Sequence, residues 1–306
     1  MALFLALFCA RGVFAEEEKT FLLRPFYKAA WFEAGLEADE EELEFVPNPT
    51  MHLGVKLGYK KFTTSLSFGV SRLEDEEEYG TSSGFNAEIN YPFRVFEREL
   101  TATAFFHTNE DLSTQAPGRG RYTVDGMDVL DAGIEGVLYL NRGFSLKRIV
   151  GELEPRSGNS GSWLVRSSIG VMYLGFLQES ADRVFIPAEL SASVGDLADL
   201  HLLRSLYSSV SGGYAFDWNL SGSFFLTMVG SLGMTVSRLD LSYADKSSET
   251  SWEVGPSVSV FLGLTYVGNE FHAGLSSSVS QESAQAGDVL ISGMRTSAIL
   301  FAGKRF

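Results

Sequence analysis

The 306-residue chain has one cysteine, Cys9, near its start, so the rest of it offers no disulfide, thiolate metal cluster or thiol nucleophile. Long apolar runs are missing as well. Past the N-terminal stretch none approaches the roughly 18 to 20 residues that a membrane helix needs, which excludes a helical membrane protein. Basic residues are few, 24 Lys and Arg against 39 Asp and Glu, and the net charge of −15 denies nucleic acid the cationic face it requires. Histidine is scarce too: His52, His107, His201 and His272 stand apart in the chain. With no paired His spacing, Cys cluster or Gly-rich phosphate loop, neither a zinc nor a nucleotide site has a basis, and no cofactor is expected.

Aromatic and small residues are plentiful, with 24 Phe, 11 Tyr and 31 Gly among abundant Ser, a composition suited to pleated strands in close contact. The first fifteen residues read as a short apolar core ending in Val13-Phe14-Ala15, and cleavage before Glu16 is expected. Export then leaves residues 16–306 as a single domain. The usual basic n-region is missing and Arg11 interrupts the apolar end, which points to a translation start upstream of Met1. Phe8 is too bulky for the small residue that precedes a lipidated Cys, so a signal peptide is favoured over a lipoprotein anchor.

The diagnostic pattern is strict alternation over lengths that suit a bilayer crossing of about 9 to 11 residues. Val254, Pro256, Val258, Val260, Leu262, Leu264 and Tyr266 share one face, with Gly255, Ser257, Ser259, Phe261, Gly263 and Thr265 on the other. Beyond the turn at Gly268-Asn269-Glu270, Phe271, Ala273, Leu275 and Val279 alternate with His272, Gly274, Ser276, Ser278 and Ser280. Leu220 to Val236, Met51 to Tyr59 and Phe62 to Val70 follow the same rule. The expected fold is all-β: a transmembrane, antiparallel, up-and-down β-barrel of fourteen strands if Ala181 to Leu190 crosses the membrane, or twelve otherwise. Leu197 to Leu206 is equally compatible with a short helix.

A soluble sandwich also alternates, so the connections must discriminate. Short ones are expected at Tyr91-Pro92-Phe93, Leu140-Asn141-Arg142-Gly143 and Asp217-Trp218-Asn219. Long polar ones are expected at Ala38 to Pro49, Glu74 to Ser82, Asn109 to Asp125 and Asp240 to Ser251. That short–long rhythm belongs to outer-membrane barrels. Tyr59, Phe62, Tyr91, Tyr139, Phe144, Trp163, Tyr214, Trp218, Tyr266 and Phe271 fall near strand ends, where interfacial girdles sit. Phe306 closes an alternating final strand and resembles the signal read by the outer-membrane assembly machinery, although Lys304 replaces an apolar residue there. Outer-membrane lipid and that machinery are the expected partners, and a bacterial outer membrane the expected location.

Pro47-Asn48, the Leu53 to Phe68 hairpin and above all Val137 to Tyr173 resemble the uncharacterised outer-membrane family known as domain of unknown function 4421. The resemblance rests on Asn141, Phe144-Ser145, Glu154 and Gly161-Ser162 at matching intervals; Arg156 and Asn159-Ser160 depart from the family pattern. It implies the barrel fold and its location, and no activity.

The inward alternation nominates Lys56, Glu88, Asp131, Glu135, Arg166 and Arg295 as lumen-lining charges. In an open pore they set ion selectivity; in a closed one they fill it as ion pairs. Gly118-Arg119-Gly120-Arg121-Tyr122 is the one compact basic loop, a candidate plug that can pair with Asp131 or Glu135. The runs Glu16 to Glu18, Asp39 to Glu42 and Glu74 to Glu78 lack fixed ligand spacing and read as solvated loops rather than cation sites. His52 and His272 lie beside Ser-rich strands, but so much Ser makes the proximity uninformative. The expected role is a passive channel or transporter for a small solute, not an enzyme; the alternative is a structural or surface-interaction barrel, and a membrane-embedded hydrolase ranks last.

Overall fold

The computed structural model describes residues 21–38, 41–46, 50–59, 61–72, 83–110, 113–115, 121–123, 127–142, 144, 158–175, 200–243, 248–268, 270–286 and 289–306. Fifteen β-strands and no helix occur among the described residues. In chain order they are β1 (Phe21–Ala38), β2 (Glu41–Val46), β3 (Thr50–Tyr59), β4 (Phe62–Arg72), β5 (Ser83–Val95), β6 (Arg98–Glu110), β7 (Ser113–Gln115) and β8 (Arg121–Thr123). They continue as β9 (Asp128–Tyr139), β10 (Ser160–Gly175), β11 (Leu200–Ser221), β12 (Phe224–Tyr243), β13 (Glu249–Val267), β14 (Phe271–Ala286) and β15 (Val289–Arg305).

Twelve strands close an antiparallel barrel. β1, β3, β4, β5, β6 and β9 to β15 pair in that order, and β15 returns to β1 from Leu22↔Arg305 to Ala38↔Val289, leaving no edge. The remaining three form an outgrowth at one end: β2 folds back on the last residues of β1, and β7 and β8 add to it. The strand number is thus the alternative of twelve and not fourteen. β10 and β11 pair directly from Ser160↔Asp217 to Gly175↔Leu202, so no further hairpin enters the wall between them. The segment 181–190 lies outside the described residues. From Leu200 onward the chain is strand and not helix, because Leu203, Ser205 and Tyr207 are buried while Arg204 and Leu206 are exposed.

The turns fall slightly beyond their expected places. Tyr91-Pro92-Phe93 lies inside β5, and the reversal is made by Phe96 and Glu97 at φ 49° and 62°, the positive values a two-residue hairpin turn demands. Pro92 is tolerated in the wall because the β4–β5 ladder has already ended at Asn90. Asp217-Trp218-Asn219 belongs to β11, which reverses at Gly222, φ 53°. Leu140 to Gly143 only opens a connection that runs over 140–159 before β10 begins.

Leu53, Leu66, Ile134, Ile169, Val210, Leu232, Val260, Leu264, Leu275 and Leu300 point outward and are exposed around the wall. A continuous apolar band of this kind needs hydrocarbon rather than water as its solvent. At the turn end it is bordered by exposed Tyr59, Phe62, Trp163, Trp218, Phe224, Tyr266 and Phe271, with Trp163 edge-on to Tyr214 at 5.2 Å. Tyr139 and Phe144 do not join this girdle; both turn into the lumen. β11, β12 and β13 have 22, 20 and 19 residues, about twice what a crossing needs. Their surplus extends past the band at the loop end, where outward positions become polar, as with Arg238 paired to Asp240 at 3.1 Å.

Candidate functional site

Inward-facing residues form three layers. At the turn end the lumen is packed solid: Leu22, Tyr139, Phe144, Leu164, Ala215, Phe225, Val267 and Phe301 are each at most 6% exposed. Tyr139, Phe144, Leu164 and Ala215 form one cluster, the two rings 4.9 Å apart, with Val137 and Val229 against it. Short hydrogen bonds deliver Phe144 to this place. The Asn141 amide donates to Ser162 Oγ (2.9 Å), Asn141 Nδ2 to the Gly161 carbonyl (2.5 Å), and the Phe144 amide to the Asn141 carbonyl (3.2 Å). Across the base, the Arg24 guanidinium lies over the Phe301 ring at 4.5 Å, a cation–π contact.

At the loop end a second apolar layer comprises Met127, Leu174, Leu200, Leu203 and Leu239, all 1% exposed or less. Between the two layers lies a polar chamber of about 400 Å³. It has room for roughly a dozen waters at the ~30 Å³ that each occupies in the liquid.

The charges of the chamber pair both between neighbouring strands and across the lumen, β9 standing opposite β15 in the ring. Arg166 Nε donates to Glu135 Oε2 at 2.7 Å. Asp131, 1% exposed, accepts from the Tyr207 hydroxyl at 2.9 Å and stands 2.9 Å from Arg295 Nη2. His107 lies between Glu88 (3.5 Å) and Asp131 (3.8 Å), stacked on Phe105 at 5.4 Å. Serines crowd the side made by β13 to β15, where Ser257, Ser259, Ser278, Ser280 and Ser297 line the chamber beside Glu282 and Arg295, with Ser278 and Ser297 2.9 Å apart. Small neighbours make room for the large rings. A Cβ on Gly170 would meet the Tyr207 ring at 2.6 Å and the Ala132 carbonyl at 2.8 Å, so Tyr207 reaches Asp131 across a position that only Gly permits.

Glu88, Asp131, Glu135, Arg166 and Arg295 all line the chamber. Lys56 is on the inward side nearer the turn end, opposite Arg24 of β1 and Ser65 of β4. Arg119 lies outside the described residues, as do the acidic runs at 16–18 and 74–78. Arg121 opens β8, where its backbone pairs with Gln115, and its side chain is outside what is described. Asp131 and Glu135, the acids that the plug reading pairs with that loop, are held instead by Arg295 across the lumen and by Arg166 on the neighbouring strand. His52 is buried with Nδ1 3.4 Å from Asn86 Nδ2, and His272 packs against Phe301 in the base. Among the described residues no group of three His, Cys, Asp or Glu is disposed to hold a metal ion.

Lys28, Tyr207 and Glu282 complete the lining and were not singled out in the sequence. Lys28 is hidden because Phe26, Tyr27, Ala29 and Ala30 blur the alternation around it. Glu282 was within reach, since it continues the inward series Ser276, Ser278 and Ser280 by one step.

The family model described as "Domain of unknown function (DUF4421)" matches residues 15–306. The chain belongs to this family. The DUF4421 positions noted in the sequence, Asn141, Phe144 and Gly161-Ser162, are those that build the packed base; Ser145 and Glu154 lie outside the described residues. The comparison with curated proteins gives no match. Among solved structures, the chain is similar to the outer membrane protease OmpT from Escherichia coli, at 8% identity over 97% of this chain and 99% of that one, TM-score 0.39. An outer membrane channel from Pseudomonas putida F1 is similar at 12% identity over 95% and 97%, TM-score 0.41. Ail, the attachment invasion locus protein of Yersinia pestis, is similar at 14% identity over 95% and 100%, TM-score 0.29. What the DUF4421 chamber can bind is set by its own lining residues.

Proposed function

We propose that this DUF4421 barrel sits in the bacterial outer membrane and works as a gated channel or transporter for a small polar solute, entering from the loop end past the apolar layer of Leu174, Leu203 and Leu239. One observation carries the reading: a polar chamber stands above a base closed by buried side chains, aromatic and aliphatic ones together with Arg24, Thr63, Asp217, Thr227, Thr265 and His272. A permanently open pore would have no such base, and a purely structural barrel gains nothing from a 400 Å³ chamber with charges in it. The short-turn end then faces the periplasm. Export by residues 1–15 and assembly through the last strand fit this location. Phe306 closes the barrel seam itself, its amide and carbonyl exchanging hydrogen bonds with Phe21 at 2.9 and 3.2 Å.

The test is single-channel conductance of the chain from Glu16, refolded and inserted in a planar bilayer. The wild-type protein is expected to be mostly closed with brief openings, and Phe144→Ala to give long, stepwise currents. Inserted barrels that stay silent in both forms would overturn the channel and leave a structural or surface-interaction barrel. The β2–β7–β8 outgrowth at the loop end is the feature that favours this second reading.

A further inference from the structure

We infer that the chamber takes an uncharged, hydroxyl-rich solute of about the size of a hexose, a neutral sugar or polyol. The inference rests on the channel reading and adds the substrate class. Its first support is the charge count of the lining: Lys28, Arg166 and Arg295 against Glu88, Asp131, Glu135 and Glu282, three cations to four carboxylates, with His107 between two of the acids. Lining charges this nearly balanced give strong local fields and little net potential. An ion entering the chamber sheds hydration without a matching excess of opposite charge to receive it.

The second support is how the pairs are made. Arg166 meets Glu135 through Nε and Oε2, and Arg295 meets Asp131 through Nη2 and Oδ2. At either of these pairs a charged solute would have to break a contact of 2.7 or 2.9 Å to gain a partner. A hydroxyl needs no such exchange. It donates to a carboxylate lone pair and accepts from a guanidinium N–H with the pair intact, since a carboxylate has about four acceptor positions and a guanidinium five N–H donors. The serines of β13 to β15 offer the same two-way hydrogen bonding, and Asn86, Asn90 and Thr103 extend it on β5 and β6, where the Thr103 hydroxyl donates to Asn90 at 2.7 Å. The volume lies within the ~300–1,000 Å³ of small-ligand sites.

The experiment is equilibrium dialysis of the refolded full chain in detergent against radiolabelled glucose, glucuronate and glucosamine, three pyranoses of similar size and different charge. Glucose is expected to be retained at millimolar concentration and the two charged sugars at least ten-fold more weakly. Arg166→Met frees the Glu135 carboxylate and should turn the preference toward glucosamine; Glu135→Gln frees the Arg166 guanidinium and should turn it toward glucuronate. The double variant Glu135→Gln/Arg166→Met should restore the preference for glucose, which separates charge from damage to the fold. Heat-modifiable migration on a gel confirms that each variant is a closed barrel. Wild-type protein that retains a charged sugar as well as glucose overturns the inference, as does a variant pair with unchanged preference. A protein that conducts ions yet retains none of the three sugars also overturns it, and in that case the channel reading stands.

Discussion

The base and the chamber are built on the same strands, a few residues apart, by opposite rules. In the base, inward positions of β9 and β10 carry Tyr139 and Leu164, which pack to near-complete burial with Phe144. One and two inward steps along those strands stand Arg166 and Glu135, part-exposed to the chamber and held to each other by an ion pair. Packed apolar contact makes the first region cohesive by excluding water. The second stays open because its polar groups satisfy one another along the wall and across the lumen and keep the space between them wet. A β-barrel can change from one rule to the other within two residues because successive inward side chains stand about 7 Å apart along the strand and so reach different depths of the lumen.

The largest break in this contrast is expected from Arg295→Met. It leaves Asp131, 1% exposed, beside Tyr207 and His107 without its guanidinium, an uncompensated buried carboxylate that costs about 4 kcal/mol. Urea unfolding from lipid vesicles would register it as a lower midpoint, and a midpoint equal to wild type would mean that Asp131 does not depend on the pair. Next comes Leu164→Ala in the base, where lost burial and the resulting cavity cost about 3 kcal/mol in the same assay. Gly170→Ala pushes a methyl group into the Tyr207 ring and is expected to cost about 2 kcal/mol, with loss of the Tyr207–Asp131 hydrogen bond visible as altered tyrosine absorbance. The smallest effect belongs to Ser278→Ala on the serine-rich side of the chamber. One Ser–Ser hydrogen bond beside water is worth at most about 1 kcal/mol, and a larger shift would show that this side is rigid in the way the base is.

Much of this was legible residue by residue. Glu88, Asp131, Glu135, Arg166 and Arg295 were placed inward by alternation alone, and all five line one chamber. Phe144 reads as an interfacial aromatic because it follows a strand end, and nothing in its position shows that Asn141 and Ser162 turn the chain inward. The strand number went astray for a related reason. Alternation marks strands locally, while the count is settled by which strand pairs with which, here β10 directly with β11. Asp131 shows the same limit on pairing: a basic loop, Gly118 to Tyr122, stands close in sequence, but its guanidinium partner is Arg295, more than half the chain away.

By itself the sequence determined that this chain is an antiparallel barrel with an apolar exterior and a polar interior, because a period of two is written directly into the order of residues and needs no partner to be read. It also set the class of side chain on each face. The tertiary structure alone decided that twelve strands close the ring, that Tyr139 and Phe144 fill its base, and that the acids and bases of the lumen neutralise one another. Closure, register and pairing depend on distances between residues far apart in the chain, and these exist only once β15 has returned to β1.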